Sequence, residues 1–123
     1  MAYLNDRVLD NGLTVLDTEA TRLDICTDLP ATYAEATTTY TKGNKTSLDV
    51  GSPAARDPSG RKVTVAAITD GTVTGDGTVA YWAITDTDNS RLLAAGELDT
   101  PKAVATGNTF TLEAFDIGIP APA

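Results

Sequence analysis

Apolar and polar positions alternate in short runs along most of this chain, and Gly, Asp, Asn or Thr cuts the runs every few residues. Strict alternation is the period of a strand with one face buried. Residues 21–27 (TRLDICT) set Leu23 and Ile25 on one face and Asp24 and Cys26 on the other, which predicts a strand. Residues 62–69 (KVTVAAIT) predict another, with Val63, Val65 and Ala67 opposed to Lys62, Thr64 and Ala66, and Ile68 joining the second side. Asp70-Gly71 then predicts a turn. In residues 79–85 both faces are apolar, with Ala80, Trp82 and Ile84 against Val79, Tyr81 and Ala83. That pattern predicts a central strand covered on two sides, with the single tryptophan, Trp82, in the core. Residues 87–90 (TDNS) turn the chain into a returning strand, 91–95, and 98–101 read as a further turn before a short strand at 103–105. Residues 109–115 alternate cleanly, with Phe110, Leu112 and Ala114 on one side and Thr111, Glu113 and Phe115 on the other.

The remaining segments carry weaker patterns. Leu4, Val8 and Leu9 have helical spacing ahead of the turn signal Asp10-Asn11-Gly12, so residues 1–12 read as a helical turn or an extended arm. Residues 13–17 (LTVLD) predict a short strand. Thr32, with Glu35 three residues on, has the form of a capping box, and one helical turn or an irregular excursion is expected there. Residues 42–45 predict a turn, 46–50 a strand with Leu48 and Val50 on one face, and 51–62 a loop holding two prolines and two glycines. The run 70–78 (DGTVTGDGT) reads as a small hairpin tip. The prolines of 117–123 (IGIPAPA) rule out a regular inner strand and predict a stiff tail lying on a neighbour or on the chain's own domain. These elements sum to an all-β fold: a small β-sandwich or β-barrel of seven to nine short antiparallel strands with extended terminal arms. The expected organisation is an arm at 1–12, one β domain at 13–116 and a tail at 117–123.

Composition supports one modest domain, since 123 residues can bury a single core. Thr occurs 21 times and suits strands and turns alike. The formal charge is −8, which disfavours nucleic acid and anionic membrane surfaces as partners. No stretch approaches the length of a membrane span and no apolar leader is visible, so synthesis in the cytoplasm is expected. Cys26 is the sole cysteine, so no internal disulfide forms, and it reads as a quiet, partly buried thiol.

Candidate chemistry is sparse. The chain has no histidine, and its Ser, Asp and Lys residues match no nucleophile elbow, phosphate loop or dinucleotide loop. No pair of carboxylates in its loops has the look of a two-acid hydrolase. The acidic runs at 70–77 and 86–89 lack the spacing and closing Glu of a calcium loop and read as ordinary turns. No catalytic role, metal or cofactor is therefore expected. Arg56, Arg61 and Lys62 form a basic island in an acidic chain, either a solvated loop or a contact for an acidic neighbour. Tyr33, Tyr40, Tyr81 and Trp82, with Asp86, Asp88 and Asn89, are the residues a carbohydrate site would use.

Five stretches, NGLTVLDTEATRLDIC at 11–26, TYAEATTTYTKGNKTSLDVGSP at 32–53, GRKVTVAAITDG at 60–71, YWAITDTDNSRLLAAGEL at 81–98 and GNTFTLEAFDIGIPAP at 107–122, together cover most of the chain. In them the chain resembles a family of small proteins encoded in tailed-bacteriophage structural gene regions. The resemblance implies a virion component, and within that a head decoration or cement protein on the capsid surface. Its implied partners are the major capsid protein and neighbouring copies of itself, with a head fibre or spike protein as a further possibility. A head-spike base, a tail or head–tail connector subunit and a carbohydrate- or receptor-binding module are the alternatives. A clamping protein of this kind gains from arms that spread its contacts. The residues expected to serve are Tyr3, Leu4, Val8 and Leu9 in the N-terminal arm, Arg56 and Arg61 in the basic loop, and Ile117, Ile119, Pro120 and Pro122 in the tail.

Overall fold

The computed structural model describes residues 3–4, 12–55 and 61–119, with residues 3, 4, 55 and 119 as backbone only. It is mostly β and antiparallel. Ten strands are present among the described residues: β1 (Tyr3–Leu4), β2 (Arg22–Cys26), β3 (Thr41–Thr46), β4 (Ala54–Ala55), β5 (Arg61–Val65), β6 (Ile68–Val73), β7 (Gly77–Asp86), β8 (Arg91–Val104), β9 (Thr109–Leu112) and β10 (Phe115–Ile119). Eight of them run four residues or longer. One α-helix, α1 (Thr14–Glu19), and a π-helical segment, Glu35–Thr39, complete the chain.

The strands form two sheets. Seven lie in the order β1-β8-β7-β2-β3-β6-β9, and three in the order β10-β5-β4. The larger sheet curls into a half-barrel. This corrects the expectation of a sandwich or closed barrel: β1 and β9 stand at opposite edges of the large sheet and do not pair with each other. The physical reason lies at Ala66-Ala67. The expected single strand 62–69 breaks there, sending Arg61–Val65 into the small sheet and Ile68–Val73 into the large one.

One apolar core joins the two sheets and the helix. It contains Leu13, Val15 and Leu16 around α1, Leu23 and Ile25 of β2, Val63 and Val65 of β5, Ile84 of β7, Phe110 of β9 and Ile117 of β10, all at most 8 % exposed. The segment expected as a strand at 13–17 is instead helical, and its Val15 and Leu16 are the buried side of that helix. Thr18 Oγ1 bonds back to the Thr14 carbonyl at 2.9 Å, the local bond a β-branched hydroxyl makes inside a helix.

The other face of the β2–β7–β8 region carries a second cluster of Cys26, Ala36, Ala83, Leu92 and Ala95, edged by Leu29, Tyr40 and Tyr81. Ala36 belongs to the π-helical segment, which therefore covers this face. β7 is thus buried on two sides, as its sequence predicts. Its phase changes along the way. The ladder with β8 slips between Val79 and Tyr81, and Val79 joins the same core as Trp82 and Ile84. An extra residue in one strand rotates the following side chains onto the opposite face.

Thr32 and Glu35 form the expected capping box in part, with Glu35 reaching one residue further back than Thr32. Thr32 Oγ1 accepts the Glu35 amide at 3.1 Å and Glu35 Oε1 accepts the Ala31 amide at 2.8 Å. Other local readings are overridden by pairing. Residues 42–45, expected as a turn, lie inside β3. Asp70-Gly71 lies inside β6, which pairs with β3 and β9 and not with β7, so 70–78 is no hairpin. Residues 98–101 are carried within β8, but the ladder skips them: Val79 pairs with Lys102 and Tyr81 with Glu97.

A buried acid is satisfied on the second face. Asp24 is fully buried and takes a two-point bond from Arg22, Nε to Oδ1 at 2.7 Å and Nη2 to Oδ2 at 2.8 Å. Thr41 Oγ1 donates to Oδ2 at 2.6 Å. A buried charge is tolerated only when it is paired and hydrogen-bonded, and here both conditions hold.

Candidate functional site

An open cleft of about 780 Å³ lies between the outer half of β8 and the β9–β10 corner. Its aromatic wall is Trp82 of β7 and Phe115 of β10, with ring centroids 4.7 Å apart and planes tilted by 44°. Both rings are half-buried and pack against the main core. Gly96 makes this wall possible. It sits opposite Trp82 in the β7–β8 ladder, and a Cβ there would fall 2.8 Å from Trp82 Cζ2. With only hydrogen at that position, the indole lies across β8 and over its backbone. This is how an aromatic ring covers a cross-strand glycine.

The rim is acidic. Glu97, Asp99, Glu113 and Asp116 line the cleft, against one base, Lys102. Lys102 Nζ donates to the Thr111 carbonyl at 2.9 Å and so ties β8 to β9 across one end. Asp116 is committed to its own sheet: Thr64 Oγ1 donates to it at 2.6 Å and Lys62 Nζ at 3.0 Å. The bond from Thr64, helped by Lys62, holds the Asp116 carboxyl below the ordinary aspartate range. Asp99 and Glu113 are exposed and make no hydrogen bond or ion pair among the described residues.

The residues singled out from sequence fall elsewhere. Val8, Leu9, Arg56, Pro120 and Pro122 lie outside the described residues. Tyr3 and Leu4 form β1, pairing with Ala95 and Ala94 at the edge of the large sheet. Arg61 is exposed on β5 and donates from Nη2 to the Pro53 carbonyl at 3.2 Å. Ile117 is not an available tail residue: it is 8 % exposed, belongs to the main core and pairs with Val63. Ile119 pairs with Arg61 in the same ladder. The structure thus brings Arg61, Ile117 and Ile119 onto adjacent strands and leaves Tyr3 and Leu4 on the other sheet.

Of the aromatic residues considered for a carbohydrate site, only Trp82 reaches the cleft; Tyr40 and Tyr81 edge the second cluster on the opposite face. Asp86 does not join it. Its Oδ1 accepts the Asp88 and Asn89 amides at 3.1 and 3.3 Å, and Oδ2 accepts Asn89 Nδ2 at 2.8 Å, which shapes the β7–β8 turn. Phe115, Asp99 and Glu113 were not marked by sequence reasoning. The one available signal was Phe115 lying opposite Phe110 in the alternation of 109–115.

Cys26 is fully buried, with Sγ 3.7 Å from the Ala36 carbonyl, and burial pushes its thiol up to about 12. A thiol in that state stays protonated at neutral pH and is a poor nucleophile. Among the described residues, no group of three or more His, Cys, Asp or Glu side chains could hold a metal ion. Comparison with protein-family models, with curated proteins and with solved structures finds no match for this chain.

Proposed function

We propose that this chain is a non-catalytic structural component of a tailed-phage particle. In this reading it binds the outer surface of the capsid and stabilises contacts between major capsid subunits, with neighbouring copies of itself as further partners. The observation that carries it is the placement of the outermost described segments. β1 and β10 are both edge strands, one on each sheet. Among the described residues, β1 pairs with β8, a strand of 14 residues, at Tyr3–Ala95 and Leu4–Ala94. Edge strands present unpaired backbone donors and acceptors, and adding a strand from another chain is a recurrent way for a small rigid module to join an assembly. The sequence resemblance to phage structural proteins supports the same reading, as does the acidic charge. A head-spike base or a tail or connector subunit would use the same edges at another address.

The test is cryo-electron microscopy of particles assembled with and without the chain, together with heat and osmotic challenge. Density over capsomer seams or three-fold positions, and particles that fail earlier without it, are the expected results. Density confined to the portal or tail would move the chain to a connector role. Particles that lack the chain and withstand both challenges normally would refute a cement function.

A further inference from the structure

We propose that the Trp82–Phe115 cleft is the docking site for an arginine-bearing segment of the protein partner; this rests on the reading of the chain as an assembly component. Three features of the cleft converge on a planar cation. The first is charge: of the four carboxylates that line it with one lysine, Glu97 is engaged elsewhere and Asp116 is paired with Lys62, so Asp99 and Glu113 set the sign of the rim, and Lys102 is bonded to the Thr111 carbonyl. The second is availability. Asp99 and Glu113 are exposed without a partner among the described residues, so two acceptors stand ready for donors from outside. The third is the aromatic wall, whose indole is held across β8 by the missing side chain at Gly96. A guanidinium stacks on an aromatic face and donates in its own plane to carboxylates, which uses all three features at once. Lysine would use the charge and little of the stacking geometry.

Size argues for a short segment. A cleft of about 780 Å³ lies within the range of roughly 300–1,000 Å³ that holds small ligands, too little for a folded surface. A neutral saccharide would also stack on Trp82, and carboxylates accept from sugar hydroxyls. It would gain nothing from the surplus of negative charge, which is the feature that separates the two occupants. Binding of a cation at this rim weakens as salt rises; binding of a neutral sugar does not.

Trp82 is the only tryptophan, so its fluorescence reports on the cleft directly. The probes are an acetylated, amidated peptide of alternating Gly and Arg, the same peptide with citrulline for arginine, and the neutral oligosaccharides maltohexaose and chitohexaose. The arginine peptide is expected to perturb Trp82 emission saturably and to bind more weakly as salt is raised, with the citrulline peptide inert. Asp99→Asn combined with Glu113→Gln changes two exposed side chains and is expected to weaken binding about tenfold with an unchanged melting temperature. Equal binding of the citrulline peptide, no response to the arginine peptide, or salt-insensitive binding of a sugar would each overturn the proposal. Co-sedimentation with particles separates the two levels. If the wild-type chain and the double variant ride with particles equally, the cleft assignment falls and the particle reading stands. If the wild-type chain does not ride with particles, the reading itself falls, and the partner assignment with it.

Discussion

Replacing Gly71 by alanine tests how β6 packs against β9 in the half-barrel. Gly71 lies in β6 directly opposite Phe110 of β9, and its backbone is not in the left-handed region. A methyl group there would stand 2.2 Å from Phe110 Cε2, 2.3 Å from Cζ and 2.5 Å from Cδ2. Ordinary contact begins near 3.4 Å, so the ring must retreat by about 1 Å. Phe110 is only 5 % exposed and belongs to the main core, where the neighbours cannot yield that distance. Overpacking costs about 1–3 kcal/mol, and expelling the ring altogether approaches the roughly 3–5 kcal/mol of a Phe→Ala truncation. The expected loss for Gly71→Ala is about 3 kcal/mol, near 10 °C in melting temperature for a domain of this size. Urea denaturation followed by Trp82 fluorescence measures it. The decisive comparison is the same substitution in a Phe110→Ala background. With the ring gone the clash is gone, and Gly71→Ala should be neutral or stabilising there. A turn at Asp70-Gly71 would instead give a smaller cost that ignores residue 110. An equal loss in both backgrounds would refute the steric reasoning.

Three other outcomes follow from single observations. Thr85 is fully buried and its Oγ1 has no hydrogen-bond partner among the described residues, so Thr85→Val removes an unsatisfied hydroxyl at nearly constant shape and should stabilise by about 1 kcal/mol in the same denaturation assay; a loss would show that the hydroxyl is bonded. Cys26 should resist a disulfide reagent at pH near 8 in the native protein and react only as the chain unfolds, so fast stoichiometric labelling without denaturant would contradict its burial. Asp76 is held below the ordinary aspartate range, first by the Thr106 amide at 2.7 Å and then by the Thr106 hydroxyl, and Asp116 likewise by Thr64 and Lys62. A depressed carboxyl contributes stability above its unfolded value and loses it as pH falls through the folded one, so stability should drop below about pH 4, and Asp76→Asn should flatten that slope. Asp24 runs the other way: burial raises it, against the bonds from Arg22 and Thr41, so its part of the profile favours the folded state as pH falls.

Several elements were legible because the information is local. The alternation of β2 places Leu23 and Ile25 in the main core and Asp24 and Cys26 on the other face, as the structure has them. The two apolar faces of residues 79–85 mark an inner strand, and β7 lies between β8 and β2. The turn at 87–90 and the Thr32–Glu35 cap depend on side chains within a few residues of the backbone they bond. Chain length, acidity and the lack of histidine are likewise properties of the sequence alone.

Tertiary structure decided the rest, and each case turns on a distant partner. Gly43 and Gly71 read as turn residues, yet both are strand residues, Gly43 where β6 comes close and Gly71 beneath Phe110. Residues 13–17 alternate too briefly to choose a period, and burial of Val15 and Leu16 against the core selected a helix. Ile117 reads as part of a tail, but pairing with Val63 draws it inward. The cleft is the clearest instance. Trp82 and Phe115 are far apart in sequence, and Gly96 lies between them. They meet only because the β7–β8 register sets Trp82 over Gly96 and the chain returns along β5 through β10. Local patterns specify which faces of a segment avoid water; which segments then face one another depends on pairing between residues that no short window contains.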